Sequence, residues 1–260
     1  MNTQKGRFAS LETQTASGAS RVVGAVVRDA LYYVAEGLRL ELEGDHEKAL
    51  RNYSAALGED PLFIEAWTRQ LWMLLYLDEP VEARVWADRA LQSFPNDPDI
   101  LSLKSLAQWR SGVNVEAREL NDTALGMTRE SGNVWLARGE MQVGADVKSA
   151  EACFTHAVRL SAVSGLAHLR SGDILLRNRK YAEAVPYFRE ATVRLPKSAW
   201  AWYGYGRAQR AVGRNDLARI AFERAYVLTP RDPRYKKALR AKRKTGFFRT
   251  LLNMLLGKNE

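Results

Sequence analysis

Residue types capable of metal binding or acid–base catalysis are present in the chain, but their spacing suits neither. The three histidines, His46, His156 and His168, fall at unrelated positions of the helical pattern, so we do not expect them to converge on one metal ion. The stretch EGDHEKA around His46 has oxygen-bearing side chains but lacks the alternating ligand spacing of a calcium loop. We therefore expect His46 to be solvated in a turn, and the other two histidines to be structural or exposed.

The remaining candidates for chemistry are a glycine-rich segment and one cysteine. The segment YGYGRAQ contains Gly204 and Gly206, but its register places it within a helix, where small residues serve close packing. The single cysteine, Cys153, excludes an intramolecular disulfide, and its neighbours EACFTHAV predict a small buried residue on a helix. Neither a nucleophile elbow, a Walker motif nor a zinc signature is found. The sequence thus predicts a protein without catalysis or cofactor.

A repeated pattern of alanine, aromatic and proline residues predicts the elements that carry these side chains. The pattern A-x3-F-x2-A-x4-P occurs twice, 34 residues apart, from Ala184 and from Ala218, with weaker copies from Ala49, Ala83, Ala117 and Ala150. The repeating units start near residues 30, 64, 98, 132, 165 and 199. A period of this length is typical of stacked two-helix units. We expect two helices of about 14 residues in each unit, in the first unit near 30–43 and 46–59.

The first half of each unit repeats as well. Glycine recurs at one position, and an aromatic residue recurs four places earlier. Over roughly residues 30–230 the chain resembles the tetratricopeptide repeat family. The resemblance implies an all-α fold: a right-handed superhelical solenoid of about six helix pairs with a C-terminal capping helix. We expect the glycine of each first helix to meet an alanine of the second. The glycines are Gly37, Gly139, Gly172 and Gly206, and the aromatics include Tyr33, Trp135 and Trp202.

The third unit departs from the pattern. Ser105 stands where the first-helix glycine is expected, and Arg129 stands where proline ends the other units. This region is predicted to be the loosest joint of the array. The predicted organisation is a disordered arm at 1–18, a solenoid at 19–230, a basic capping helix at 231–246 and a short amphipathic tail at 247–260. Within the solenoid the repeats lie near 30–63, 64–97, 98–131, 132–164, 165–198 and 199–232.

The positive charge is concentrated at the C-terminus. The formal net charge is +9, and residues 231–260 alone contain ten lysines and arginines against two acidic residues. Beside this basic run lies an apolar segment too short to cross a bilayer, a pairing typical of peripheral membrane elements. Three hypotheses for this C-terminal segment are that it docks to an anionic membrane surface, that it docks to a partner protein, or that it folds back on the solenoid. Binding of nucleic acid is disfavoured because no aromatic residues are interleaved with the basic ones. The docking residues are predicted to be Lys236, Lys237, Arg240, Lys242, Arg243, Lys244, Phe247, Phe248, Leu251, Leu252 and Leu255.

Two further expectations concern the N-terminus and the location of the protein. From about residue 19, apolar residues at helical spacing predict a segment that covers the first unit or docks to a partner or a second copy. No secretory h-region and no run of about 18 apolar residues is found. The expected location is cytoplasmic, with a peripheral position on the inner face of the membrane considered.

The resemblance implies that a partner segment would contact the concave face of the first helices. There the first half of the chain is apolar and aromatic, which suits either a bound apolar segment or packing against the N-terminal helix. Val34 and Leu38 replace the polar residues with which some family members hold a terminal carboxylate. Tyr203 and Arg207 are expected to dominate, because aromatics and arginine are favoured at interface hot spots. The full predicted set is Trp72, Tyr76, Trp109, Arg177, Trp200, Tyr203, Arg207 and Arg210.

Together these features predict a non-catalytic scaffold or adaptor that binds a partner protein, in a bacterial assembly setting by family analogy. The alternative is a self-assembling structural protein, a homo-oligomer in which a terminal helix docks into the groove of a neighbouring molecule.

Overall fold

The computed structural model describes residues 28–240 of the 260-residue chain, and within that range every regular element is an α-helix. Twelve helices form six hairpins, which we call repeats one to six, and the thirteenth packs on repeat six. The helices are α1 Ala30–Glu43, α2 His46–Glu59, α3 Ile64–Tyr76, α4 Pro80–Ser93, α5 Pro98–Arg110, α6 Asn114–Met127, α7 Gly132–Val143, α8 Val147–Leu160, α9 Ser164–Arg177, α10 Tyr181–Arg194, α11 Ala199–Ala211, α12 Asn215–Leu228 and α13 Pro233–Arg240.

The predicted all-α repeat architecture is confirmed, and α1 and α2 occupy the ranges that the spacing predicts. The predicted arm at 1–18, the helical segment from about residue 19 to 27 and the tail at 247–260 lie outside the described residues, as does the predicted capping helix beyond Arg240.

The turn between the two helices of a repeat requires a left-handed backbone. Gly44, Gly112 and Gly213 have φ values of 83°, 83° and 84° in repeats one, three and six. Asp78 and Arg179 occupy the same register in repeats two and five, with φ values of 62° and 60°. A side chain at such a φ costs roughly 1–2 kcal/mol. The turn geometry is therefore imposed by the packing of the helices, and glycine accommodates it in three of the repeats.

Inside most repeats, a ring on the second helix fills the space above a glycine on the first. A Cβ atom added to Gly37 would lie 2.6 Å from the Tyr53 ring, and one added to Gly139 would lie 2.3 Å from Phe154. The expectation that these glycines meet alanines is wrong, because the missing Cβ makes room for a ring. The same arrangement joins Gly172 to Phe188 and Gly206 to Phe222.

Repeats two and three fill the same space with other combinations. In repeat two the first helix has a large residue, Leu71, and the second helix a small one, Ala87, and both are fully buried. In repeat three both positions are small and polar, Ser105 and Asn121. The Nδ2 of Asn121 donates a hydrogen bond to the Val134 carbonyl at 3.2 Å, while its Oδ1 has no hydrogen-bond partner among the described residues. Both side chains are fully buried, and the loose joint expected there stays a prediction.

Neighbouring repeats are joined through the recurring first-helix aromatic. The indole N–H groups of Trp67, Trp135 and Trp202 each donate to the carbonyl six residues earlier, at 2.8, 2.9 and 3.0 Å. Each such bond holds the beginning of a first helix against the turn that precedes it. The acceptors are Pro61, Arg129 and Pro196.

The ring-on-glycine packing predicts a large difference between two glycine-to-alanine substitutions. Gly139→Ala should lower the free energy of unfolding by about 1–3 kcal/mol, because its Cβ overlaps Phe154. Gly126→Ala, on α6 with nothing within 4 Å of its added Cβ, should raise it by about 0.5–1 kcal/mol through helix propensity. Urea unfolding followed by circular dichroism measures both; equal effects at the two positions would contradict this packing.

Candidate functional site: the concave face

The concave face is closed by the chain itself, because repeat six and α13 reach back to the end of α1. Three consecutive carbonyls there accept hydrogen bonds from the C-terminal part of the chain. We call these three hydrogen bonds the closing contact. They run from Ser198 Oγ to the Leu42 carbonyl at 2.8 Å, from the Tyr235 hydroxyl to the Glu43 carbonyl, and from Arg234 Nη2 to the Gly44 carbonyl at 2.6 Å.

The closing contact lies at the C-terminal end of α1, where backbone carbonyls are free to accept hydrogen bonds. The last four carbonyls of an α-helix lack partners within it, and its C-terminal end carries a partial negative charge that attracts a cation. Arg234 supplies that cation, and its guanidinium also lies 5.4 Å from the ring centroid of Trp200. The end of the first helix is thus capped by repeat six and α13.

An aromatic cluster lies beside the closing contact. The His46 ring stacks on Tyr76 with centroids 4.6 Å apart and meets Trp200 edge-on at 4.6 Å. Trp200 Nε1 donates to Asp173 Oδ2 at 2.9 Å. His46 is only 5% exposed, so the expectation that it is solvated in its turn is wrong: Trp200 and Tyr76 cover it. The cluster joins repeats one, two, five and six.

Burial shifts the pKa values of His46 and Asp173, two of the titratable groups of this cluster, in opposite directions. Loss of solvation lowers the pKa of His46 to about 4, although the nearby Glu41 acts in the other direction. Loss of solvation raises the pKa of Asp173 to about 6, opposed by the Trp200 hydrogen bond and by the charge of Arg207. His46 is therefore neutral in the folded protein near pH 7.

Charged side chains fill the centre of the concave face as ion pairs. Arg110 forms two hydrogen bonds with Glu140, at 2.9 and 2.7 Å, and a third with the Leu75 carbonyl at 2.8 Å. Glu41, 2% exposed, lies between two guanidinium groups: Arg69 at 3.3 Å and Arg170 at 3.2 Å. Removing one partner of such a buried pair typically costs about 3–5 kcal/mol. These charged side chains therefore help to hold the fold together.

Sequence reasoning missed this ionic network and His46 as part of the site. The sequence did contain a signal for this network: acidic and basic residues stand at inward positions of the first helices, among positions that are otherwise apolar. No group of three or more metal-ligating side chains occurs among residues 28–240. His156 stacks on Trp135 and His168 packs near Tyr187, at centroid distances of 4.6 and 6.3 Å. Cys153 is buried, as predicted.

The predicted partner-binding residues of the first repeats are covered by the second half of the chain. Trp72 is 1% exposed, with the Arg170 guanidinium 4.5 Å from its ring centroid. Its Nε1 donates to Asn133 Oδ1 at 2.9 Å. Tyr76 and Trp200 belong to the buried aromatic cluster. A partner could reach these side chains only by displacing contacts that the chain makes with itself.

The other predicted residues of the middle repeats lie nearer the surface. Trp109 is partly buried, with the Arg118 guanidinium 5.0 Å from its ring centroid. Arg177 is exposed and pairs with Asp78 at 2.7 Å. Both therefore make intramolecular contacts that a ligand would have to replace.

Repeat six differs from the others because its inward side is open. Arg207 and Arg210 are exposed, and they lie 5.8 and 5.0 Å from the ring centroids of Tyr203 and Phe222. Neither forms an ion pair with a carboxylate of the described residues. Arg207 occupies the register that Trp72, Glu140 and Asp173 hold in earlier repeats, where side chains of other repeats contact them. Among residues 28–240, the helix that follows repeat six is α13, and Arg207 stays exposed beside it.

The described chain is also divided by charge. Residues 177–240 contain sixteen lysines and arginines against five acidic residues, whereas residues 28–176 contain fifteen against 23. On α13, Lys236, Lys237 and Arg240 are exposed. The open end of the concave face therefore lies in the basic part of the molecule. The other predicted docking residues lie outside the described residues: Lys242, Arg243, Lys244, Phe247, Phe248, Leu251, Leu252 and Leu255.

The opposite pKa shifts predict opposite pH dependence of stability in two variants. Asp173, with a folded pKa of about 6, contributes stability that is lost as pH rises from 3.8 through 6. His46, with a folded pKa of about 4, contributes stability that is present above 6.5 and lost as pH falls toward 4. In the wild type the two effects largely cancel between pH 4 and 6.

In the Asp173→Asn variant the effect of His46 remains, so the free energy of unfolding should rise between pH 4 and 6.5. In the His46→Phe variant the effect of Asp173 remains, so the free energy of unfolding should fall over the same range. Each change is about 3 kcal/mol in size, from shifts of two pKa units or more. Urea titrations at intervals of half a pH unit measure it. Parallel pH profiles in the two variants would show that neither group titrates as its burial demands.

Comparison with known proteins agrees with this architecture. A sequence model described as tetratricopeptide repeat matches residues 34–98, 136–199 and 169–233. The crystal structure of TTC0263, a thermophilic TPR protein of Thermus thermophilus, is similar with a TM-score of 0.51 and 20% identity, over 67% of this chain and 98% of that one. The structure of the APC/C hetero-tetramer Cut9-Hcn1 gives a TM-score of 0.50 at 14% identity, over 82% of this chain and 43% of that one.

Two Synechococcus proteins are similar in sequence. Both are named Photosystem I assembly protein Ycf3, from strains CC9311 and WH7803, at 27% and 28% identity over 125 and 126 residues. Each match covers 47% of this chain and 72% of the relative.

Among residues 28–240 no helix is long and apolar enough to cross a membrane. Because the family model matches more than half of the chain in register with its helix hairpins, the chain belongs to the tetratricopeptide repeat family.

Proposed function

We propose that this protein is a non-catalytic assembly scaffold that binds a segment of a partner protein at the repeat-six end of its concave face. The observation that carries the proposal is the exposed Arg207, which stands at an inward register position that earlier repeats cover and pair. The names of the Synechococcus relatives support assembly as the class of function. The fold supports binding rather than catalysis.

The chemistry of repeat six favours an acidic partner segment. Arg207 and Arg210 offer two planar guanidinium groups one helical turn apart on α11, next to the partly exposed ring of Tyr203. A guanidinium pairs with a carboxylate through two parallel hydrogen bonds, as Arg110 does with Glu140 inside the same molecule. The net positive charge of residues 177–240 would also attract an acidic segment from a distance.

We further propose that the basic C-terminal end docks on an anionic membrane surface. Lys236, Lys237 and Arg240 are exposed on α13 and form no ion pair among the described residues. Each lysine or arginine near anionic lipid contributes about 1 kcal/mol, and the apolar residues of the tail at 247–260 would add burial in the interface. The protein would then lie in the cytoplasm, on the inner face of the membrane.

Self-assembly is the alternative hypothesis. A terminal helix of a neighbouring molecule would need a free groove, and in repeats one to five the chain fills that groove with its own side chains. The closed conformation therefore favours a partner bound at repeat six over a neighbour inserted along the whole face.

The partner site predicts a charge-specific loss of binding. Arg207→Glu with Arg210→Glu should abolish capture of the partner from a cell extract, because both guanidinium groups become carboxylates that repel an acidic segment. Arg224→Glu, an exposed arginine on α12, is the matched control and should capture the partner as the wild type does. Quantitative mass spectrometry of the captured proteins measures the effect. The proposal fails if all three proteins capture the same set in the same amounts.

The membrane site predicts co-sedimentation with anionic vesicles. The full chain should sediment with vesicles containing phosphatidylserine and phosphatidylcholine, and binding should fall steeply with salt. A variant ending at Thr245, or one with Lys236→Glu, Lys237→Glu and Arg240→Glu, should bind at least about tenfold more weakly. Vesicles of phosphatidylcholine alone are the control. Equal sedimentation of the full chain and both variants would exclude docking through this end.

A further inference from the structure

We infer that the outer face of α12 is a second membrane-binding surface, whose apolar side chains enter the interface of an anionic lipid bilayer. The surface consists of four side chains, which we call the outer stripe: Leu217, Ile220, Val227 and Leu228. The inference rests on the proposed docking of the basic C-terminal end, and it adds an apolar contact made by the folded repeats. The two contacts are separable by experiment, because one is carried by charge and the other by apolar burial.

The outer stripe is exposed although its residues are large and apolar. Its side chains are between 37% and 69% exposed, and their helical spacing places them on one face of α12. The core face of the same helix is formed by other residues, which pack against α11 and α13: Ala218, Phe222 and Ala225. The outer stripe is therefore apolar surface beyond what the core of repeat six uses.

The equivalent positions of the other second helices are mostly polar or small. All six second helices have 14 residues, so the outer stripe corresponds to the third, sixth, thirteenth and fourteenth residues of each. In α2 none of the four is a large apolar residue. In α4, α6, α8 and α10 a single exposed large apolar residue stands among the four: Val85, Met127, Leu160 and Val193 respectively. The repeat architecture thus does not require apolar side chains there, and their concentration on one helix marks an interaction surface.

The charge around the outer stripe favours anionic lipid as the occupant. Residues 213–240 contain eight lysines and arginines against three acidic residues. Arg224 is exposed on the same face, one helical turn from Ile220 and from Val227. The aliphatic stem of an arginine can lie among apolar side chains while its guanidinium reaches a phosphate. Apolar and cationic side chains on one exposed helix face are typical of helices that lie in the membrane interface.

The outer stripe adjoins the basic end that is proposed to reach the membrane. The helix α13 lies along α12, because Tyr235 packs in one cluster with Ala225, and Ala238 in another with Ala218. The exposed cations of α13 therefore belong to the helix beside the outer stripe. Attraction between charges falls as salt is added, whereas burial of apolar side chains is not screened. The two helices would thus bind one lipid surface through different forces.

The test removes the apolar character of the outer stripe without changing charge. In the full chain, Ile220→Gln with Val227→Gln keeps the net charge and a residue suited to a helix at both positions. The matched control is Val81→Gln with Val85→Gln on α4, where both valines are exposed to a similar degree and Val85 has the register of Ile220. Binding to vesicles of phosphatidylserine and phosphatidylcholine is titrated for each protein at low and at high salt.

We expect Ile220→Gln/Val227→Gln to bind these vesicles about tenfold more weakly than the wild type. The factor should be the same at low and high salt, because apolar burial is not screened. The α4 control should bind as the wild type does. The variant with Lys236→Glu, Lys237→Glu and Arg240→Glu should instead lose most of its binding at low salt and differ little at high salt. Far-UV circular dichroism should be unchanged in every variant.

A second measurement locates the contact on the molecule. Val227→Cys and, as its control, Val85→Cys are each labelled with the environment-sensitive fluorophore nitrobenzoxadiazole; the native Cys153 is buried. When anionic vesicles are added, the emission of the label at position 227 should shift to shorter wavelength, because the label enters an apolar environment. The emission of the label at position 85 should stay unchanged.

The inference is overturned if Ile220→Gln/Val227→Gln binds vesicles like the wild type, or if the label at position 227 does not respond while the chain is bound. In both cases the charge-driven docking still stands when the variant of α13 loses binding. The inference is also overturned if the glutamine pair converts a dimer into a monomer in sedimentation without vesicles, since the stripe would then join two copies. If the full chain does not bind anionic vesicles at all, the proposed docking fails together with it.

Discussion

The capping of the first helix by repeat six and α13 is the constraint on which the rest of the structure depends. Because the carbonyls at the end of α1 are satisfied by Ser198, Arg234 and Tyr235, the superhelix is fixed at a curvature that brings its two ends together. That curvature decides which inward positions are covered. It buries His46 under Trp200, and it leaves Arg207 open. The shape of the array and the position of the candidate site thus both follow from this curvature.

Closing the face has an electrostatic cost that the ionic network offsets. Glu41 and Glu140 would be expensive to bury alone, and each is held by arginine from another helix. Pairs of this kind seldom add stability over apolar residues of the same shape. In this protein the ion pairs select one arrangement of the helices. Arg110 can bond to Glu140 and to the Leu75 carbonyl together only when α3, α5 and α7 meet at the observed angle.

The helix hairpins were predictable from sequence because each is specified locally, whereas the closure was not. A proline, a glycine and an aromatic at fixed spacing suffice to place α1 and α2. The overall curvature instead sums a small rotation over every repeat, and no short pattern encodes it. His46 was misjudged for that reason: the turn is local, but Trp200, which covers it, is 154 residues away. The ring above Gly37 was missed because the pattern gives spacing without contacts.

The number of repeats also decides which inward side chains are covered. Asp173 in repeat five is covered because Trp200 in repeat six follows it, and by the same geometry a seventh repeat would cover Arg207. In its place the chain has the short helix α13, which commits Arg234 and Tyr235 to the closing contact and leaves the inward arginines of α11 free. Among residues 28–240, the arrangement that caps the end of α1 with α13 is therefore the same one that leaves Arg207 and Arg210 exposed on α11.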